Sequence, residues 1–139
     1  MLSSTSPSFM SEATDSSVPK FINWLHSFDF MKSMCYVDLD YLQDSFNRVD
    51  IFKELGVAEQ EIPCLINQIL SNDYEDFLYD NDVQNVLVDL YGLMHARYIL
   101  SFNGLEMMKN KYLRGIFGKC PRDLCDGQNC LPTGLYLFL

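Results

Sequence analysis

The sequence predicts a mainly α-helical protein, with a compact domain of about five to six helices followed by a short segment rich in cysteine. Apolar residues recur at three- and four-residue spacing in several separate stretches, as the buried face of a helix requires. Proline, glycine and capping residues stand between these stretches. The 139 residues are 48% apolar and 14% aromatic, which suits a single domain with one core.

The first seventeen residues differ from the rest of the chain. Residues 1–17 are rich in serine and threonine and poor in apolar side chains, which predicts a disordered arm before a helical domain at residues 18–117. Pro19 suits the first turn of a helix because its nitrogen carries no hydrogen. Trp24 is interpreted as a packing anchor and His26 as a surface residue. The predicted apolar face of this helix comprises Phe21, Ile22, Leu25 and Phe28.

Shorter elements follow before the middle of the chain. Residues 34–37 read as an extended turn, after which Asp38 is predicted to cap a helix. The inward side of that helix is predicted to comprise Tyr41, Leu42, Ser45 and Phe46. Residues 51–55 form another helical turn that ends at Gly56, and Pro63 opens the next helix, with Leu65, Ile66, Ile69 and Leu70 on its buried side. Cys35 and Cys64 are interpreted as small buried hydrophobes.

The longest helix begins at Asn81 or Asp82, either of which can cap it. Its predicted apolar stripe comprises Val83, Val86, Leu87, Leu90, Tyr91, Met94, Tyr98 and Ile99. His95 lies within this stripe and is interpreted as a core histidine rather than a ligand or base. Asn103-Gly104 is predicted to end the helix, and a shorter antiparallel helix carrying Leu105, Met108 and Tyr112 then runs to Gly115.

The net charge of −9 is concentrated in the middle of the chain. Residues 54–96 contain nine acids and no lysine or arginine, whereas the charged residues within 97–122 are six bases and one acid. This pattern disfavours nucleic acid as a partner and favours a cationic one, although a solubilising face would look the same.

No apolar run is long enough for a membrane helix, and the N-terminus does not resemble a secretory signal. Five irregularly spaced cysteines argue against a disulfide framework, so we expect an intracellular protein with reduced thiols.

Three of the five cysteines lie in one turn, at positions 120, 125 and 130. Zinc takes four tetrahedral ligands, and a turn of this length can supply two of them, Cys120 and Cys125. Cys130 is a candidate extra ligand. No second pair follows in residues 131–139, and both histidines are assigned elsewhere, so the residues alone predict an incomplete zinc site.

Several blocks of sequence resemble one known family, the regulatory beta subunit of casein kinase II. The strongest is LYGLMHARYIL at residues 90–100. It is followed by Lys111-Tyr112, Gly115, Phe117-Gly118, Cys120-Pro121, Cys125 and LPTGL at residues 131–135. FINW at residues 21–24 and CYVDLDYLQDSFN at residues 35–47 resemble the opening of the same family.

The resemblance implies a helical domain followed by a four-cysteine zinc ribbon that forms the dimer interface. It places Cys120 and Cys125 at the first zinc pair. It also implies that an acidic loop binds polyamines and basic proteins; the corresponding residues here are Asp73, Glu75, Asp76, Asp80 and Asp82. The implied function is that of a non-catalytic regulatory subunit of the serine/threonine kinase, in the cytoplasm and nucleus, modulating activity or substrate choice.

The end of the sequence departs from the family pattern. Residues 118–139 read as a truncated ribbon with an apolar tail, so we expect low zinc occupancy and weakened homodimerisation. The segment with which the family docks on the catalytic subunit has no counterpart in these residues. The alternative function is a stand-alone acidic helical module that binds basic proteins or polyamines without the kinase. No catalytic signature is present, and we expect no enzyme activity.

Overall fold

Helices account for nearly all regular structure in residues 17–72 and 79–131, the part of the chain that this computed structural model describes. The predicted mainly α-helical class is confirmed. The α-helices are α1 (Lys20–His26), α2 (Leu39–Gln43), α3 (Ile51–Leu55), α4 (Ile62–Leu70), α5 (Asn81–Tyr98) and α6 (Phe102–Leu113). Short 3-10 helices span Asp29–Met31, Ser45–Arg48 and Glu59–Glu61. The predicted N-terminal arm, up to residue 16, and the segment after residue 131 lie outside the described residues.

Helix α5 is the centre of the fold. Its 18 residues contact α3, α4, α6 and the 3-10 helix Ser45–Arg48. The rise of about 1.5 Å per residue makes it roughly 27 Å long, enough to run through a small domain. The apolar stripe predicted for this helix is confirmed in its main positions. The buried residues are Leu87, Leu90, Tyr91, Met94, His95 and Tyr98.

The rest of the core comes from elements that precede α5. Helix α1 packs on α4, which begins with Ile62 followed by Pro63 at the position where a missing N–H costs no hydrogen bond. Helix α3 ends at Gly56 as predicted, with φ of 81°, a conformation that glycine adopts without strain. The buried apolar residues outside α5 are Phe21, Ile22, Leu25, Met31, Cys35, Val37, Leu42, Ile51, Ile62, Ile66 and Ile69.

Two predicted helix caps differ from the prediction, one in its position and one in its hydrogen bonding. Asp80, rather than Asn81 or Asp82, caps α5: its carboxylate accepts hydrogen bonds from the backbone nitrogens of Asp82 and Val83 at 3.0 and 3.2 Å. Asp38 stands at the N-cap position of α2, but its side chain makes no capping hydrogen bond. Burial, and after it the charge of Asp38, raises the pKa of the Tyr98 phenol.

The boundary between α5 and α6 also differs from the prediction. Helix α5 ends at Tyr98, and Asn103-Gly104 lies in the first turn of α6 instead of ending α5. Ser101 caps α6, since its hydroxyl accepts a hydrogen bond from the Gly104 nitrogen at 3.1 Å. A Cβ atom on Gly104 would overlap the Tyr98 carbonyl, so glycine lets α6 start directly against the end of α5.

Four side chains test the predicted buried and exposed positions. Trp24 is half-buried and packs against Phe21 and Phe28, with ring centroids 5.7 and 5.1 Å apart, so its role as a packing anchor is confirmed. Phe46 is 84% exposed, and its predicted inward position is wrong because α2 ends at Gln43 and a 3-10 helix follows. Cys64 is exposed, whereas Cys35 is buried as predicted.

Among the described residues, no helix has the length and apolar character needed to cross a membrane.

Candidate functional site

The cysteine turn is folded by backbone hydrogen bonds at its two ends. The Cys120 nitrogen donates to the Gln128 carbonyl at 2.7 Å, and the Cys130 nitrogen donates to the Gly118 carbonyl at 2.8 Å. These bonds flank an antiparallel bridge between Lys119 and Asn129. The backbone itself therefore holds the two ends of the turn together.

Two of the thiols in this turn lie within hydrogen-bonding reach of each other. The Gln128 backbone and then the Cys120 thiol lower the pKa of Cys125. The Arg122 backbone acts to lower the pKa of Cys120, but the hydrogen bond with Cys125 and the charges of Cys125 and Cys130 raise it overall. The two thiols thus titrate as a linked pair.

Two cysteines in one turn are the ligands that half of a tetrahedral zinc site needs, and their use as such stays a prediction. Thiolates are zinc's usual ligands in structural sites, and the two sulfurs share one turn, as predicted. In residues 17–72 and 79–131, no group of three or more histidine, cysteine, aspartate or glutamate side chains is arranged to hold a metal. Cys130 is held at the end of the turn by the hydrogen bond from its backbone nitrogen to the Gly118 carbonyl. Its role as an extra ligand stays a prediction.

The turn is attached to α6 through polar contacts. Asn129 donates to the Tyr112 carbonyl at 2.7 Å, and Gln128 donates to the Tyr112 hydroxyl at 2.6 Å. Leu124 is fully exposed and Leu131 is 69% exposed. The turn thus lies on the surface of the helical domain and adds little to its core.

The predicted acidic loop is only partly described. Asp73, Glu75 and Asp76 lie outside the described residues. Asp80 and Asp82 flank the start of α5, where both are exposed; Asp80 is engaged as the cap. Negative charge at this end of a helix is favourable, so both acids have a structural reason to be there as well as the predicted binding role.

A buried polar network connects α5 to the first third of the chain. The Tyr91 hydroxyl accepts a hydrogen bond from the Val37 nitrogen at 3.2 Å and lies 2.9 Å from His26 Nε2. His95 Nε2 accepts from the Cys35 nitrogen at 3.2 Å and lies 3.7 Å from its sulfur. The interpretation of His95 as a satisfied core histidine is confirmed.

His26 is the residue in this network that sequence reasoning placed wrongly. It is half-buried rather than on the surface, and its ring stacks on Tyr36 with centroids 3.9 Å apart. Burial, followed by the charges of His95 and Lys111, lowers the pKa of His26 to about 4. Burial and then Lys111 lower the pKa of His95 to about 4 as well. Both rings are therefore neutral at pH 7 and serve packing and hydrogen bonding.

Arg97, like His26, makes contacts that no local sequence pattern predicts. One guanidinium nitrogen donates to the backbone carbonyls of Asn47 and Val49 at 3.1 and 2.8 Å, and the other pairs with Glu54 at 2.8 Å. These contacts tie α5 to α3 and to the loop before it. Their partners are 43 to 50 residues away in the chain, so no local pattern could indicate them.

A family model and individual known proteins all indicate the same family for this chain. Residues 20–137 match the model of a family described as casein kinase II regulatory subunit. The chain is 37% identical over 127 residues to casein kinase II subunit beta of Schizosaccharomyces pombe, covering 91% of this chain and 54% of that protein. It is 36% identical over 129 residues to subunit beta-3 of Arabidopsis thaliana, covering 89% of this chain and 44% of that protein.

An animal relative shows the same proportions. The match to casein kinase II subunit beta' of Drosophila melanogaster is 34% identical over 125 residues, covering 88% of this chain and 55% of that protein. The chain thus spans about half the length of the curated relatives it matches. The residues of this chain that match the family model, 20–137, include the helical domain and the cysteine turn.

Proposed function

The chain belongs to the casein kinase II regulatory subunit family, and we propose on that basis that it is a non-catalytic regulatory subunit of this serine/threonine protein kinase. The observation that carries the proposal is the family match over residues 20–137, which includes the helical domain and the cysteine turn. In this role the chain associates with the catalytic subunit and alters its activity or its choice of substrate. We place this activity in the cytoplasm and nucleus.

The direct test is association with the catalytic subunit. The 139-residue chain, shown to be helical by circular dichroism, is immobilised and the purified catalytic subunit is passed over it at micromolar concentration. We expect saturable binding and a change in the rate of phosphorylation of at least one peptide substrate. An unrelated protein of similar size and charge serves as the control, because the net charge of −9 could attract a basic kinase by itself.

Two outcomes would contradict this function. A folded chain that does not bind the catalytic subunit at micromolar concentration would leave only common ancestry. Binding that disappears between about 50 and 300 mM salt, and that the control protein reproduces, would indicate general electrostatic attraction instead. Binding to polycations without the kinase would favour the alternative of a stand-alone acidic module.

We also propose that the acidic stretch around the start of α5 binds polyamines or basic proteins. Support comes from the nine acids and the absence of lysine and arginine in residues 54–96, and from the exposure of Asp82 and Asp89. Asp82→Asn with Asp89→Asn should weaken spermine binding in calorimetry, more strongly at about 50 than at 300 mM salt. Asp123→Asn with Asp126→Asn, at two exposed acids in the cysteine turn, is the matched control, because it removes the same amount of charge. Equal weakening in both variants would show that only net charge matters.

Zinc binding and homodimerisation are the remaining parts of this proposal. Cys120 and Cys125 supply two thiols that lose their protons when a metal binds, and two chains together would supply the four ligands that a structural zinc requires. Elemental analysis combined with native mass then gives about one zinc per two chains. Cys120→Ser should abolish both the zinc and the dimer, whereas Cys64→Ser, at an exposed cysteine far from the turn, should leave them unchanged. A zinc-free monomer would contradict this part alone.

A further inference from the structure

A cavity of about 420 Å³ lies between α1, the extended segment before α2, and α6. This volume is within the range of pockets that hold small organic ligands, roughly 300–1,000 Å³. Most of the wall is apolar, and it includes methionine side chains, which adjust to irregular ligands. Among the apolar side chains of the wall are Val18, Ile22, Met31, Met34, Val37 and Met107.

Two lysine side chains, Lys32 and Lys111, line this apolar space. Lys111 of α6 lines the cavity, and its side chain is half-buried. Its ammonium group reaches the Lys32 carbonyl at 3.4 Å, a long hydrogen bond to a neutral acceptor. The ion pairs found within residues 17–72 and 79–131 do not include Lys111. A partly buried ammonium group is stabilised further when an anion supplies a neutralising charge.

The other polar groups around the cavity do not supply that neutralising charge. Asp38 lines it, but the ion pairs of the described residues do not join its carboxylate to Lys111. His26 is neutral at pH 7 because burial lowers its pKa to about 4. Cys35 is neutral because burial raises its pKa to about 11. Lys32, also at the cavity, is itself cationic and pairs with the exposed Asp29 at 3.4 Å.

We propose that this cavity binds a medium-chain aliphatic carboxylate, with the carboxylate on Lys111 and the hydrocarbon chain against the apolar wall. An ammonium and a carboxylate in a partly desolvated site form a charge-assisted hydrogen bond, which is about twice as strong as a neutral one. The hydrocarbon chain displaces water from the wall, and this gain grows with chain length. The cavity is separate from the cysteine turn and from the acidic stretch, so the inference does not depend on the kinase-regulatory function.

Chain length provides a test that needs no variant. The 139-residue chain is titrated by calorimetry with hexanoate, octanoate and decanoate, and with 1-octanol as the neutral counterpart. Each added methylene should tighten Kd by about three- to fourfold, as expected for burial of one CH₂ group. A Kd that does not change with chain length, or the absence of octanoate binding at about 10 mM, would overturn the proposal.

Two substitutions on α6 test the role of the charge. Lys111→Met keeps an unbranched apolar side chain and removes the ammonium, so octanoate should bind about tenfold or more weakly, with 1-octanol unchanged. Lys109→Met removes a charge from an exposed position of the same helix outside the cavity wall and should leave both ligands unchanged. Equal weakening of octanoate in the two variants would show that the anion is attracted only by surface charge.

Discussion

Tyr91 holds two distant parts of the core through one hydroxyl group. The hydroxyl accepts from the Val37 nitrogen and lies 2.9 Å from His26 Nε2. The side chain is fully buried, and burial raises the pKa of this phenol. Its hydrogen bonds therefore form away from water, where an unmatched partner is costly.

Tyr91→Phe tests the contribution of this hydroxyl to stability. The ring is retained, but the buried Val37 N–H loses its acceptor, so the free energy of unfolding should fall by about 1–3 kcal/mol. Urea denaturation followed by circular dichroism measures the change. Tyr79→Phe, at a residue that is 83% exposed, should shift stability by less than about 0.5 kcal/mol. Similar effects of both substitutions would rule out the assigned role of Tyr91.

His95 makes the stability of the domain depend on pH. Its pKa is lowered from 6.5 in the unfolded chain to about 4 in the fold, because burial disfavours the imidazolium form. Between these values the unfolded chain binds more protons than the folded one, so stability falls as the pH decreases from about 6.5 to about 4. The full contribution of neutral His95 is present above pH 6.5.

His95→Gln should remove this part of the pH dependence. The glutamine oxygen can accept from the Cys35 nitrogen as Nε2 does, but it does not titrate. The loss of stability between pH 7 and pH 4 should therefore be smaller in the variant by an amount on the order of 3 kcal/mol. Urea midpoints measured at half-unit pH intervals give both curves. Parallel curves for the variant and the parent chain would mean that His95 is not responsible.

At the scale of elements, the close contact between α5 and α6 depends on a missing side chain. Gly104 is buried in the first turn of α6, and a Cβ atom there would meet the Tyr98 carbonyl and the Ile99 backbone. Backbone atoms cannot move aside as a flexible side chain could. Gly92 in α5 is the opposite case, since a Cβ atom there meets nothing within 4 Å.

The two glycines form a matched pair for substitution by alanine. Gly92→Ala should raise the free energy of unfolding by about 0.5–1 kcal/mol, because alanine favours the helix and no contact opposes it. Gly104→Ala should lower it by about 1–3 kcal/mol, since overlap with the Tyr98 carbonyl forces α6 away from α5. Thermal melts of the two variants give the comparison. A stabilising Gly104→Ala would refute the close contact.

The same boundary shows what local sequence patterns can and cannot predict. The stripe Leu87, Leu90, Met94 and Tyr98 follows helical periodicity, which depends only on neighbours, and its prediction is confirmed. Asn103-Gly104 looks like a turn by its residue types, and only the tertiary contact with Tyr98 shows why glycine lies inside a helix. His26 and Tyr91 are 65 residues apart, so no local pattern could place His26 in the core.

At the scale of the whole molecule, the cysteine turn and the helical domain differ in how they are held. The domain is built around buried apolar side chains, whereas the turn is attached through Asn129 and Gln128 to Tyr112 of α6. The spacing of Cys120 and Cys125 is enough to predict that they share a turn. Where the turn lies, and through which contacts, depends on distant residues and could not be predicted.

This difference predicts two levels of protection from hydrogen exchange. The backbone amides of Cys120 and Cys130 should exchange at least about tenfold faster than those of Leu90 and Met94, because the turn can open without exposing the core. Exchange followed by mass spectrometry of peptides from each region provides the measurement. Equal protection would mean that the turn and the domain unfold as one unit. Added zinc should slow exchange in the turn alone.

The distance in sequence between the α5 residues Tyr91 and His95 and their partners has a consequence during synthesis on the ribosome. His26 and Cys35 are made 65 and 60 residues before the α5 side chains that contact them. At about 5–20 residues per second, they wait roughly 3–13 s before α5 emerges. During that interval α1, and α4 once it has been made, lack their central partner, so the nascent chain is most exposed to aggregation just before its longest helix is complete.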